Sequence, residues 1–166
     1  MGFLAAAVNA VVAVWLGNHY MAVMMILLAG ALLGFLRSNF HPATIYLGDC
    51  GSLFIGLTLG ALAMVMDYTQ HNPLGWLAPL YILAVPIIDT VYVMALRIRA
   101  GRKIYYGSPD HFPLRLRKRL DGWTEGTVVL SYAVAVIFGA IGLVVLFLDP
   151  ISTLIVTAVF GVTALG

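Results

Sequence analysis

Charge is what this chain lacks most. Asp, Glu, Lys and Arg make up 10% of its 166 residues, whereas 62% are hydrophobic and the mean hydropathy is +1.01. A soluble domain carries roughly 25% charged residues. There is too little polar surface here to cover a globule in water, so the class is an integral protein of the lipid bilayer. The single cysteine, Cys50, excludes an intramolecular disulfide. The apolar runs do not alternate with polar residues, which excludes the strands of a membrane barrel. No repeat at a period of roughly 20–50 residues and no low-complexity tract is present, so residues 1–166 read as a single membrane domain. No basic residues precede the first apolar run, as they would in a signal peptide, and Ala6 stands where N-myristoylation needs Ser or Thr.

What is present is a set of apolar segments at about 3–16, 20–36, 51–66, 75–96, 126–147 and 151–165. A helix crossing the hydrocarbon core needs about 20 residues, so the first and last are short. The expected fold class is all-α, a polytopic membrane helix bundle of about six transmembrane helices. The basic residues agree with that count. Arg37 lies in the second connection, and Arg97, Arg99, Arg102, Lys103, Arg115, Arg117, Lys118 and Arg119 lie in or beside the fourth. With six crossings those two connections share one membrane face. The positive-inside rule makes that face cytoplasmic, along with both termini.

Two features within the membrane segments call for a partner. Gly30 and Gly34, and likewise Gly56 and Gly60, are four apart, a spacing that lets helix backbones approach closely in lipid. Packing within the bundle is the expectation, with a homodimer contact as the alternative. Pro86, in VPIIDT, removes a helical hydrogen bond and is expected to kink the fourth segment. Asp89 follows it and lies eight residues before Arg97, about 12 Å along a helix. A carboxylate at that depth should face the bundle interior or a wet cavity, as a structural pin for the kink or as a functional group.

The expected cytoplasmic face carries the remaining chemistry. In NFHPATIYLGDCGSL, residues 39–53, Asp49 stands in a glycine turn between Gly48 and Gly51 at the head of the third segment. Two readings compete. As a helix N-cap, Asp49 would accept from the Ser52 amide. As a ligand, it would hold Mg²⁺, a hard cation that shares its shell with substrate phosphates, next to helix amides that suit a phosphate. Asn39 shapes the same loop and can add hydrogen bonds, as can His41. In residues 97–121, eight basic side chains are interleaved with Tyr105, Tyr106 and Phe112, which suits anionic headgroups or an anionic substrate. The patch is short and follows a membrane helix, which argues against nucleic acid. His111 lies in a turn beside Asp110.

Residues 30–53 resemble the segment of the polyprenyl-phosphate N-acetylhexosamine-1-phosphate transferases that ends in MGDxGS. This is glycosyltransferase family 4, which includes the phospho-N-acetylmuramoyl-pentapeptide transferases. VPIIDT is similar to the family's proline-aspartate helix, and GRKIYYGSPDHFPLRL, residues 101–116, to its loop carrying a histidine cluster followed by Arg-Leu. The resemblance implies an enzyme at the cytoplasmic face of the bacterial inner membrane, with Mg²⁺, or Mn²⁺ in its place, as cofactor. It would transfer a sugar-1-phosphate, as in N-acetylhexosamine transfer, from a UDP-sugar to polyprenyl phosphate and release UMP. By the same resemblance Asp49 is the metal-linked and catalytic aspartate. His111 is a catalytic residue that also meets substrate, and Arg115 a substrate-binding one. Asn39, Gly48 and Gly51 form the substrate loop, and Asp89 is a polar support within the membrane.

The chain departs from the family in two respects. Family members are about twice as long, and their earlier half carries an Asp-Asp pair and a segment ending near DGxDGL, neither of which occurs here. The expectation is therefore the C-terminal half of a longer transferase, partnered by an N-terminal half or a second copy. The histidine cluster is also reduced, with Phe112, Pro113 and Leu114 following His111. The alternatives are a catalytically inactive scaffold or subunit, and a small transporter using Asp89. The second would need more intramembrane polar residues than the chain has.

Overall fold

The computed structural model describes residues 1–40, 42–101 and 124–165, with side chains placed for 126–159 of the last stretch. Every apolar segment becomes helix, and no strand occurs among the described residues. The elements are α1 (Gly2–Trp15), α2 (His19–Asn39), α3 (Gly48–Val65), a 3-10 turn (Gly75–Leu77) leading into α4 (Ala78–Ile82), α5 (Ala84–Arg99), α6 (Thr124–Val145) and α7 (Pro150–Leu165).

Length separates the spanning helices from the rest. α2, with 21 residues, is about 31 Å long and matches the hydrocarbon core. α2, α3 and Gly126–Val145 are long and apolar enough to cross a membrane, and α4 with α5 makes a fourth crossing if the bent pair is one span. α1 and Pro150–Val159 are shorter apolar helices. Among the described residues, three or four of the expected six crossings therefore have the length of a full span.

The fourth segment is two rods rather than one kinked helix. The chain bends by 69° between Gly75–Ile82 and Ala84–Arg99. Pro86 explains the position of the break. It has no N–H to bond the carbonyl four residues back, at Ile82, and its ring crowds that carbonyl. Flanking bonds run from the Leu83 amide to the Pro79 carbonyl and from the Ile87 amide to the Leu83 carbonyl.

Small residues set the helix contacts, although not those expected from glycine spacing. Ala5, Ala6, Ala10 and Ala13 of α1 form one buried cluster with Ala22, Met25 and Ala29 of α2. In α6, a Cβ on Gly142 would lie 3.0 Å from the Ala78 carbonyl oxygen, and one on Gly139 would lie 3.1 Å from a Val8 methyl. Gly30, Gly34, Gly56 and Gly60 have nothing within 4 Å of such a Cβ. Among the described residues, then, these four glycines do not make the close packing within the bundle that their spacing led us to expect. α2 buries the face that carries Ala22 and Ala29, and Gly30 and Gly34 lie on its opposite side.

One end of the bundle is locked by buried polar groups. Asn72, fully buried in the loop between α3 and α4, donates to the Val145 carbonyl at 2.8 Å and to Thr153 Oγ1 at 2.9 Å. Its own Oδ1 accepts from the Leu74 amide at 2.9 Å. Tyr68 in the same loop donates to Asn9 Oδ1 at 3.1 Å, and burial raises the Tyr68 phenol above its ordinary pKa. Tyr81 donates to Thr157 Oγ1 at 2.9 Å. Trp15 stacks at 4.5 Å against both His71 and Phe147, and Trp76 is exposed nearby in sequence, giving this end the aromatic belt of a membrane interface. Asp149 starts α7. Its carboxylate accepts from the Ser152 hydroxyl at 2.8 Å and amide at 3.2 Å, and these bonds lower its pKa.

Replacing Asn72 by Ala strips partners from Val145, Thr153 and Leu74 at once. The expected loss is about 2–3 kcal/mol of stability, read as a lower unfolding midpoint in detergent. The exposed control Gln70→Ala should leave the midpoint unchanged.

Candidate active site at the Asp49 turn

The Asp49 turn lies at the opposite end of α3 from the polar lock, and its shape is set locally. The Ser38 carbonyl accepts from the Thr44 amide at 2.9 Å, the Ile45 amide at 3.3 Å and the Thr44 hydroxyl at 3.1 Å. Asn39 Nδ2 donates to the Ile45 carbonyl at 2.9 Å. The connection from α2 to α3 is thus folded back on the last turn of α2, and Asn39 fastens it. Gly48 then takes φ of +68°, a conformation that costs other residues about 1–2 kcal/mol. A side chain on Gly51 would meet Leu47 Cγ at 2.7 Å, so its absence lets Leu47 fold over the first turn.

Asp49 sits in the first turn of α3 and is exposed. The N-cap residue is Leu47, with no side-chain capping bond. The N-cap reading of Asp49 is therefore corrected. Gly48 starts the helix one residue too early for Asp49 to cap it, and the Ser52 hydroxyl donates to the Asp49 backbone carbonyl at 2.9 Å. Among the described residues, the carboxylate accepts no capping hydrogen bond from the helix. It is favoured there by the N-terminal end of the helix dipole. Among the described residues, no group of three or more His, Cys, Asp or Glu could hold a metal ion. Asp49 can supply one oxygen-ligand position, and Cys50 beside it is exposed and free.

Next to the turn a cavity of about 830 Å³ runs into the bundle between α1, α2, α3, α5 and α6. It is mostly apolar. Its polar side chains are Asn39 and Ser52 at the Asp49 end, Thr90 on α5 and Tyr132 on α6. Its volume is that of a small-molecule site. Nothing in the sequence signals it, because Tyr132 stands in an otherwise apolar helix and the wall from α5 exists only through the bend at Leu83. Asp89 is half-buried in the second turn of α5, one residue from cavity-lining Thr90. His41, His111, Arg115, Arg117 and Lys118 lie outside the described residues.

The fold and turn define a class: a helical membrane protein with an exposed carboxylate in the first turn of one helix, next to an apolar cavity. Comparison with known proteins makes the class specific. The profile of glycosyl transferase family 4 matches residues 1–67, which hold α1, α2, α3 and the Asp49 turn. The chain is 47% identical over 110 residues to the putative glycosyltransferase SCO3672 of Streptomyces coelicolor, covering 66% of this chain and 26% of that protein. It is 35% identical over 158 residues to the decaprenyl-phosphate N-acetylglucosaminephosphotransferase of Mycolicibacterium smegmatis, covering 87% and 38% respectively. It is 34% identical over 147 residues to the phospho-N-acetylmuramoyl-pentapeptide-transferase of Moorella thermoacetica, covering 82% and 41%. No solved structure matches. The chain belongs to glycosyl transferase family 4. It spans less than half the length of each of these relatives.

Asn39→Ala should release the 40–47 connection without unfolding the helices. One neutral hydrogen bond contributes about 1 kcal/mol, so amide exchange at Thr44 and Ile45 is expected to speed up by about fivefold, with exchange in α1 unchanged.

Proposed function

We propose that this chain provides part of the active site of a phospho-glycosyltransferase. That enzyme moves a sugar-1-phosphate, such as N-acetylhexosamine-1-phosphate, from a UDP-sugar to polyprenyl phosphate. A phosphate oxygen of the lipid forms a new bond to the sugar-side phosphorus of the donor. The bond to the uridine-side phosphate breaks, and UMP leaves with those electrons. The observation that carries this reading is Asp49. It is an exposed carboxylate that caps nothing, on a turn of the family's type, directly beside an apolar cavity.

Each part of the geometry supports a share of the chemistry. The reaction brings a phosphate and a diphosphate together, so charge repulsion is its main obstacle. Bound Mg²⁺ would offset that charge, and Asp49 is the described residue that would hold it, with substrate and water oxygens filling the shell. The open amides of the first turn of α3 suit a phosphate oxygen. The cavity suits the first isoprene units of the lipid, leaving their phosphate at the Asn39 and Ser52 end. Asn39 keeps the Asp49 turn in place through Ile45. The positive-inside rule puts this end, with Arg37 and the basic connection after α5, on the cytoplasmic side, where UDP-sugars are found. His111 and Arg115 are proposed to meet the substrate phosphates on the strength of the family resemblance.

The test is UMP release from UDP-N-acetylglucosamine and undecaprenyl phosphate with Mg²⁺, using membranes that hold the chain and, in a second arm, an upstream family half. Asp49→Asn is expected to lower turnover at least 100-fold in whichever arm is active. Equal release from the Asp49→Asn variant and the unaltered chain would sink the assignment.

A further inference from the structure

Of the polar side chains that line the cavity, three already donate within the chain. Asn39 Nδ2 donates to the Ile45 carbonyl at 2.9 Å, the Ser52 hydroxyl to the Asp49 carbonyl at 2.9 Å and the Thr90 hydroxyl to the Pro86 carbonyl at 2.8 Å. Tyr132 is the exception. Among the described residues, none forms a hydrogen bond with its hydroxyl. The phenols of Tyr68 and Tyr81, elsewhere in the bundle, donate to Asn9 and Thr157. A hydroxyl held among apolar groups is unfavourable unless a partner reaches it. Half-buried Tyr132 faces a mostly apolar space, so that partner has to come with whatever fills the cavity.

The fold says which part of an occupant that would be. Val145, at the carboxyl end of α6, lies at the Asn72 lock. The amino end of α6 is therefore at the same end of the bundle as the Asp49 turn. Tyr132 is six residues into the spanning part, Gly126–Val145, about 9 Å along it. Helical side chains lean toward the amino end of their helix, and a tyrosine reaches further by keeping its hydroxyl at the polar edge. The phenol thus approaches the mouth of the cavity, on the α6 wall across from Asn39 of α2 and Ser52 of α3. A polyprenyl chain has no acceptor oxygen. The phosphate that ends it has several, and a hydrogen bond to a charged acceptor is stronger than one between neutral groups.

We infer that Tyr132 is a specificity-determining residue for the lipid acceptor: its hydroxyl donates to a phosphate oxygen of a polyprenyl phosphate seated in the cavity and fixes the depth at which that phosphate stops. The inference rests on the cavity serving the lipid, as proposed above. It does not depend on Asp49. Tyr132 takes no part in bond making or breaking; it distinguishes a phosphorylated isoprenoid from a bare one.

The experiment measures binding by native mass spectrometry, with the chain in nanodiscs. The probes are undecaprenyl phosphate and squalene, an isoprenoid hydrocarbon with no oxygen. Tyr132→Phe removes the hydroxyl alone. It is expected to bind undecaprenyl phosphate at least tenfold more weakly than the unaltered chain and squalene equally well. Its unfolding midpoint in detergent should be unchanged, since the hydroxyl bonds no described residue. Equal affinity of the two chains for undecaprenyl phosphate would overturn the inference and leave the hydroxyl to water. A matching loss for squalene would overturn it too, by showing a change of cavity shape. So would failure of the unaltered chain to bind undecaprenyl phosphate. Loss of UMP release on Asp49→Asn, with undecaprenyl phosphate binding unaffected by Tyr132→Phe, would leave the catalytic reading standing and remove Tyr132 from it.

Discussion

Asn72 holds three parts of the chain with one side-chain amide. Its donors go to the end of α6 and to α7, and its oxygen turns the loop that leads into α4. Buried polar groups must be satisfied inside the protein, and an arrangement that satisfies them all has few alternatives. Asn9 and Tyr68 extend the same network into α1. The first and last hairpins are thereby fastened to one loop, and the helices inherit their relative heights from it. Because α4 is anchored at that end and broken by Pro86 at the other, α5 must leave the bundle at a steep angle.

The opposite end is built differently. The hydrogen bonds described there, between Asn39 and Ile45 and from Thr44 and Ile45 to Ser38, are local to one connection. They shape the turn that presents Asp49 and tie it to the last turn of α2. Among the described residues, α3 joins the buried cluster through apolar side chains such as Ile55, Leu59 and Leu62.

The helices were legible because a membrane imposes one rule on every segment: about 20 apolar residues, with backbone groups satisfied internally. The break at Pro86 was legible for a similarly local reason. The uses of glycine were not. Gly30 and Gly34 have the spacing of a helix interface, yet the contacts fall on Gly139 and Gly142, because spacing defines a face and not its neighbour. Asp49 shows the same limit at the site. Its sequence position fits an N-cap, but the cap falls on Leu47 because Gly48 enters the helix with a positive φ. The resemblance to family 4 was readable in GDCGS because that turn is a short, contiguous stretch. The cavity was not, since its walls come from helices far apart in sequence.

By itself, then, the sequence determined that the chain is helical, that it lives in a bilayer, where its helices begin and break, and which family its glycine-aspartate turn belongs to. All of these follow from composition and from residues within a few positions of one another. Only the tertiary structure decided which end is locked, which glycines are packed, that Asp49 is not the helix cap, and that an apolar cavity lies next to its turn. Those depend on which faces meet, and in a chain that is apolar all round, hydrophobicity does not distinguish one face from another.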